Sequence, residues 1–190
     1  MTNTRRLTLV ATLSALSFVL MLFNFPIIPG VDFLKLDFSV LPILFGLVLL
    51  DLRSALTILI LRTVIKLLLD NGGVGGMIGL PMNVIALGVF VISFALVWNR
   101  TKTAVRFIQA GILGTLLLTV SMIVLNLIYA VPLYAKFANF DIGATFGISK
   151  YIISMVLPFN ILEGIILSVV FYVAYLACHP ILERHKVTTV

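Results

Sequence analysis

Charge is scarce in this sequence: 11% of its 190 residues are Asp, Glu, Lys or Arg, against about a quarter in soluble domains. With 62% hydrophobic residues and a mean hydropathy of +1.24, a water-soluble fold is excluded. Cysteine occurs once, at Cys178, which excludes an internal disulfide and a cysteine-cluster metal site; it reads as a small apolar filler of the last helix. The two histidines, His179 and His185, fall at or beyond the end of the last apolar run and read as solvated tail residues. No metalloprotease helix motif is present, and no nucleophile can be paired with a base, so an enzyme is not expected. Basic residues outnumber acidic ones 13 to 7, for a net charge of +6, but they are spread over short segments without a basic and aromatic stripe. Nucleic acid is therefore not the expected partner.

What the sequence has in abundance is apolar runs of the length, about 18 residues or more, that a hydrocarbon core of roughly 30 Å demands of a helix. Hydropathy and breakers divide the chain into spans near 7–23, 38–50, 54–69, 80–98, 105–134 and 148–177. The fold class this predicts is an all-α membrane protein, a six-transmembrane-helix bundle with residues 1–190 forming a single transmembrane substrate-binding domain. The first run follows Arg5 and Arg6 as a signal peptide would, but no small-residue cleavage site precedes the loop after it, so it is read as a retained helix. The second is short and contains Pro42, so it is expected to be tilted, kinked or deepened by neighbouring loops. The fifth and sixth exceed the bilayer's need and are expected to project beyond it or to break at Pro132 and Pro158.

Lys and Arg set the orientation, because positive loops stay cytoplasmic. With the N-terminus inside, the inner segments hold Arg5, Arg6, Arg53, Arg100, Lys102, Arg106, Arg184 and Lys186, whereas the outer ones hold Lys35, Lys136 and Lys150. Both termini are thus expected in the cytoplasm of a multi-pass cell-membrane protein. Segments 24–37, 70–79 and 135–149 then lie outside and make that the binding face.

Arg62, Lys66 and Glu163 fall inside predicted spans, where a charge costs at least about 2.5 kcal/mol unless it snorkels or finds a partner. Lys66, a turn from the outer end, either snorkels or meets a ligand. Arg62 and Glu163 sit at comparable depth, which predicts an ion pair, set against a ligand role for either. Asn83, Asn126 and Asn160 can each donate and accept, as a heteroaromatic ring with alternating N–H and carbonyl groups requires; the alternative is interhelical hydrogen bonding. Asn160 and Glu163 share one helical face just past Pro158. The run from Asn71 to Asn83 carries Gly75, Gly76 and Gly79 but lacks the Gly-Lys-Ser/Thr ending of a nucleotide loop, so ATP binding is rejected. It reads as a flexible outer segment that brings backbone, Met77 and Met82 against a flat ligand, or else as a connector. Ala11 and Ala15, flanked by Ser14, form a smooth face for another helix, either within the bundle or on a partner.

Ala11-Thr-Leu-Ser-Ala15 in the first span, a long first outer loop and Pro158-Phe-Asn-Ile-Leu-Glu-Gly164 in the last together resemble the S component of an energy-coupling factor (ECF) vitamin transporter, across essentially the whole chain. Phe33-Leu-Lys-Leu-Asp-Phe-Ser-Val-Leu-Pro42 and the glycine-rich connection look most like the riboflavin-specific members. The resemblance implies a subunit in the lipid bilayer that captures riboflavin from outside as its transported ligand, needs no cofactor, and docks on a transmembrane coupling subunit driven by two separate ATPases. It implies that Ala11 and Ala15 meet the coupling subunit. It also implies that the ligand contacts come from Asn126, Asn160 and Glu163 with the 75–79 segment, closed by the first outer loop with Leu36 and Asp37. The residues themselves do not fix riboflavin. Thiamine would call for aromatic or acidic groups around a cation, and biotin for a carboxylate partner, for which Lys66 is the obvious candidate. An intramembrane enzyme or a structural subunit of a membrane complex also stays open.

Overall fold

The computed structural model describes residues 3–185 except Asp32, with side chains as far as Pro180; Lys186 and the side chain of Arg184, expected on the cytoplasmic side, and the side chain of His185, expected in a solvated tail, lie outside the described residues. The long helices follow the apolar runs. They are α1 (Asn3–Leu22), α2 (Val40–Leu49), α3 (Leu52–Leu69), α4 (Gly73–Val97) and α5 (Ala104–Phe137), followed by a short α6 (Ile142–Phe146) and then α7. Helix α7 comprises Ile148–Tyr151, a π turn Ile152–Val156 and Leu157–His185. Between α1 and α2 a small antiparallel hairpin pairs β1 (Phe25–Pro26) with β2 (Lys35–Leu36). By length and composition α1, α4, α5 and α7 can each cross a bilayer.

In three places the structure corrects or narrows the sequence reading. Helix α2 has 10 residues, about 15 Å at the usual rise, too short to cross alone. Pro42 does not kink it, because it stands in the first turn, where an amide hydrogen has no partner inside the helix anyway. The glycine-rich stretch is not a loop beyond Gly72: α4 starts at Gly73, so Gly75, Gly76, Met77 and Gly79 belong to its first two turns. A Cβ on Gly76 would stand 1.6 Å from the carbonyl oxygen of Asn71, so the connection folds directly onto this turn. Finally, the chain does not break at Pro132 or Pro158. Each proline is preceded by a π turn, Asn126–Ala130 and Ile152–Val156 respectively, whose wider ring absorbs the missing donor and the clash with the preceding turn.

Two polar ties hold the helices in register. Asp51 caps α3 by accepting from the Ser54 amide at 2.7 Å, and Arg6 of α1 donates to Asp51 Oδ2 at 2.6 Å and to Ser54 Oγ at 2.8 Å. Burial works to raise the Asp51 carboxyl, but the Ser54 amide and hydroxyl, with Arg6 and Arg53, outweigh it and hold the group below the usual carboxylate range. At mid-bundle, Ser17 of α1 donates to the Ser39 carbonyl at 2.6 Å just ahead of α2.

Helix α4 packs along α5, and α5 along α7, while α1 and α2 lie against α3. One half of the α4/α5/α7 layer is filled by interlocking rings: Phe94 and Trp98 of α4 meet Phe107 of α5 and Phe171 and Tyr175 of α7, mostly edge to face at centroid separations such as 5.2 Å for Trp98 and Phe107. The other half presents Gly79, Ala86, Ala130 and Ala138 and stays hollow.

Candidate functional site

The hollow half is a cavity of about 420 Å³, within the range of small-molecule sites. Its walls come from α4 (Gly79, Met82, Asn83, Ala86, Leu87), α5 (Met122, Asn126, Ala130, Tyr134) and α7 (Tyr151, Phe159, Glu163). The α1–α2 hairpin closes one side with Phe33, Leu34 and Lys35, and α6 with its approach supplies Phe140, Ile142 and Phe146. Phe33 lies 6.0 Å from the Phe146 ring and 6.2 Å from the Tyr151 ring, so the hairpin meets α6 and α7 over the cavity.

Asn83, Asn126 and Tyr151 at the wall are each held by a neighbour, which fixes what they can offer. Arg62 of α3, fully buried, donates through Nη2 to Asn83 Oδ1 at 2.8 Å and through Nη1 to Ser39 Oγ at 2.7 Å and Met21 Sδ at 3.1 Å. A guanidinium only donates, so the Asn83 carbonyl must face Arg62 and its amide nitrogen is the group left over. On α5, Asn126 Nδ2 donates to the Met122 carbonyl at 2.7 Å, and Asn126 Oδ1 accepts from the Tyr151 hydroxyl at 2.6 Å. Tyr151 has thereby spent its proton and presents acceptor lone pairs. Asn160 is fully buried between the wall residues Phe159 and Glu163 in sequence; its Nδ2 donates to the Val156 carbonyl at 2.7 Å and its Oδ1 has no protein partner. A buried acceptor left open in this way is costly unless something else supplies the donor.

Of the residues expected at a site, Asn83, Asn126, Glu163 and Gly79 share the cavity wall, while Asn160 is fully buried and outside the lining, next in sequence to the wall residue Phe159. The others do not line it. Lys66 is ion-paired with Asp70 four residues on. Leu36 is buried in the main core, and Asp37 Oδ1 accepts from the Ser39 amide at 2.7 Å. Gly75 offers its carbonyl to the Tyr134 hydroxyl at 3.5 Å, Gly76 is taken up by contact with Asn71, and Met77 is 59% exposed on the outer face of α4.

The expected Arg62 to Glu163 ion pair does not form: the ion pairs among the described residues are Arg6 with Asp51 and Lys66 with Asp70. Arg62 turns instead to the Ser39, Asn83 and Met21 side of α3. Ala11 and Ala15 are exposed on α1, whereas Ser14 turns inward and donates to the Val10 carbonyl at 2.7 Å, so the bundle itself does not cover the small-residue face.

Sequence reading missed the aromatic walls, chiefly Phe33, Tyr134, Phe140, Phe146, Tyr151 and Phe159. Tyr151 carried a signal, since a tyrosine inside an apolar helix needs a partner for its hydroxyl. The assembled surface can do one thing well: sandwich a flat ring between aromatic and thioether side chains while donors and acceptors at fixed positions read its edge.

Three comparisons bear on this geometry. The family model described as the substrate-specific component of ECF transporters matches residues 5–175. The riboflavin transporter RibU of Streptococcus thermophilus is 57% identical over 184 residues, covering 97% of this chain and 87% of that protein. RibU of Lactococcus lactis is 40% identical over 191 residues, covering 90% of this chain and 91% of that protein. Among solved structures, the S component of a bacterial ECF transporter superposes with a TM-score of 0.76 at 25% identity, covering 95% of this chain and 99% of that one.

Proposed function

We propose, from the premise that this chain belongs to the substrate-specific component family of ECF transporters, that it is a riboflavin-binding subunit that holds its ligand in the α4/α5/α7 cavity. The observation that carries the reading is the cavity wall itself. Aromatic rings and methionines surround a slot whose polar groups, the Asn83 amide nitrogen, the Tyr151 oxygen and Asn126, are pre-set by Arg62 and by one another. An isoalloxazine ring alternates imide N–H and carbonyl groups along one edge and is apolar on both faces. It can accept from the asparagine amides and donate to an oxygen without reorganising the wall, so little ordering cost accompanies binding. Asn160 Oδ1, buried beside this wall, is the further acceptor that such a ligand or its bound water would satisfy. The hairpin at Phe33 to Lys35 is the natural cover, since its removal would open the cavity to one end of the bundle.

The positive-inside count supports both termini in the cytoplasm, with α2 spanning only together with the hairpin that precedes it, and this orientation puts the cavity toward the outer side. In this reading the 190 residues are one substrate-binding domain. The exposed Ala11 and Ala15 face of α1 supports docking on a transmembrane coupling subunit that two cytoplasmic ATPases drive, since an uncovered small-residue stripe permits close helix approach. Lys66, Asp37, Leu36, Gly75, Gly76 and Met77 shape the surroundings of the cavity in this reading, while Asn83, Asn126, Asn160, Glu163 and Gly79 face or back the ligand.

The test is spectroscopic: protein produced in cells and purified in mild detergent should be yellow and carry flavin absorbance in proportion to its concentration. Colourless protein that retains a different vitamin would assign the cavity to that vitamin.

A further inference from the structure

Helices α5 and α7 carry the same interruption. Asn126–Ala130 and Ile152–Val156 are π turns, closed by the Val131 amide on the Asn126 carbonyl and by the Leu157 amide on the Ile152 carbonyl. One residue further on stands a proline, Pro132 or Pro158, which has no amide to supply the next rung. Helices bend at prolines and at π turns, and here both legs of one segment, residues 131–151, are weakened together.

What lies between the two turns holds together by itself. The main core ends at Met122 on α5 and Ile166 on α7, whereas Ile142 and Tyr151 are buried in a separate cluster with Val131, Tyr134, Phe146 and Val156. The backbone closes on itself: the Ala138 and Phe140 amides donate to the Tyr134 carbonyl at 3.0 and 3.2 Å, and the Tyr151 amide to the Gly147 carbonyl at 2.9 Å. Asp141 Oδ1 accepts from the Ala144 amide at 3.0 Å and caps α6. Ties outward are weaker. Leu133 and Tyr134 lie against the Ile78 cluster of α4, Phe33 of the hairpin lies on Phe146 and Tyr151, and the Tyr134 hydroxyl reaches the Gly75 carbonyl only at 3.5 Å. Parting these surfaces separates apolar side chains and one long hydrogen bond. The short bond from Tyr151 to Asn126 joins the turns themselves, so it lies on the axis of a rotation about them and need not break.

From the paired turns and the self-contained cluster between them we infer that residues 131–151 form a hinged cap, which swings as one body about the two π turns and opens the cavity along its seam with α4 and the hairpin. Hinges of this kind are a few residues that absorb the change while the moving body keeps its shape. Tyr134, Ala138, Phe140, Ile142, Phe146 and Tyr151 of the cap line the cavity, so a ligand that touches them holds the cap shut. For what closes the cap, the inference rests on the cavity being the riboflavin site; the hinge itself does not. It gives the molecule a moving part besides the hairpin.

The experiment places spin labels on the full chain in detergent, at Ala144→Cys of α6 and Leu68→Cys near the end of α3, in a Cys178→Ala background. Both labelled positions are exposed and outside the cavity wall, so their separation, read by pulsed electron resonance, reports the cap alone. In the ligand-free chain it should be more broadly distributed than in the riboflavin-loaded chain, and longer in the mean by more than about 2 Å. Pro132→Ala with Pro158→Ala gives each turn its amide back, which should stiffen both hinges and shift the ligand-free chain to the short separation. Pro132→Ala alone should do so in part, and melting temperatures report the fold of each variant. A flavin titration on the same samples shows whether ligand is bound. Protein that binds no flavin would contradict the riboflavin assignment, and the ligand-free comparison of the parent chain with the proline variants would still decide the hinge. A ligand-free separation that matches the loaded one, or that folded proline variants leave unchanged, would overturn the cap.

Discussion

The Tyr151 hydroxyl donates to Asn126 Oδ1 at 2.6 Å and so joins the two π turns among the described residues, for Asn126 opens the turn in α5 and Tyr151 immediately precedes the one in α7. Both turns exist because a proline follows, Pro132 in one helix and Pro158 in the other. The wall of the cavity is thus built where two helices have been widened at matching depth and tied by one side-chain bond. Tyr151→Phe removes the tie but keeps the ring. Riboflavin affinity should fall by about 1 kcal/mol, roughly fivefold, with the ultraviolet circular dichroism of the helices unchanged. Fluorescence titration of the flavin measures it, and an unaltered dissociation constant would take the Tyr151 oxygen out of the site.

Arg62 should be important to both stability and binding. Arg62→Leu strands the Asn83 carbonyl and frees the amide to rotate, which should cost about 1 to 3 kcal/mol of stability and weaken ligand binding. Adding Asn83→Leu removes the stranded carbonyl, so the double variant should recover much of the melting temperature without recovering affinity. Recovery of both would mean that Asn83 does not touch the ligand.

Gly76 and Gly79, three residues apart on α4, should separate cleanly. At Gly76 a methyl group would collide with the Asn71 carbonyl, whereas at Gly79 a Cβ meets nothing within 4 Å and points into open space beside the cavity. Gly76→Ala should therefore lower the melting temperature, while Gly79→Leu should leave it near the wild-type value and abolish riboflavin binding by occupying the slot. Thermal unfolding and titration together distinguish the two, and a stable Gly76→Ala protein would contradict the packing at the start of α4.

How far the sequence anticipated this structure depends on what kind of fact is asked for. Hydropathy located α1, α3, α4, α5 and α7 because lipid-facing residues such as Leu16, Ile85, Ile112 and Val169 are as apolar as the core. Depth along a helix could be counted, but rotation about it could not. Arg62 and Glu163 were matched by depth, and the structure turns Arg62 toward Ser39 and Asn83 instead. The glycines of the 73–79 run looked like a loop because glycine propensity argues against helix, and packing against Asn71 overrode that preference. Phe140 and Phe146 were invisible as site residues, since only the return of α6 over the cavity brings them to its wall.

Docking makes a prediction of its own. Ala11 and Ala15 are exposed, so replacing both by Leu should leave riboflavin binding and thermal stability of the isolated protein nearly unchanged. Uptake by cells should be lost, because two isobutyl groups would hold a partner helix away from the stripe. Normal uptake of labelled riboflavin by cells carrying the double variant would remove the docking role, and joint loss of stability and binding would show that the stripe packs inside the bundle.

The most direct measurement is calorimetric titration of the purified, ligand-free chain with riboflavin in the absence of any nucleotide. The cavity is formed entirely by this chain, and its polar groups are already oriented by Arg62, Tyr151 and Asn126, so binding should need neither ATP nor a partner subunit. The predicted result is a saturable, tight exothermic isotherm with one riboflavin per chain, competed by flavin analogues that keep the ring. No riboflavin binding by well-folded protein, alongside tight binding of thiamine or biotin in the same titration, would contradict the account.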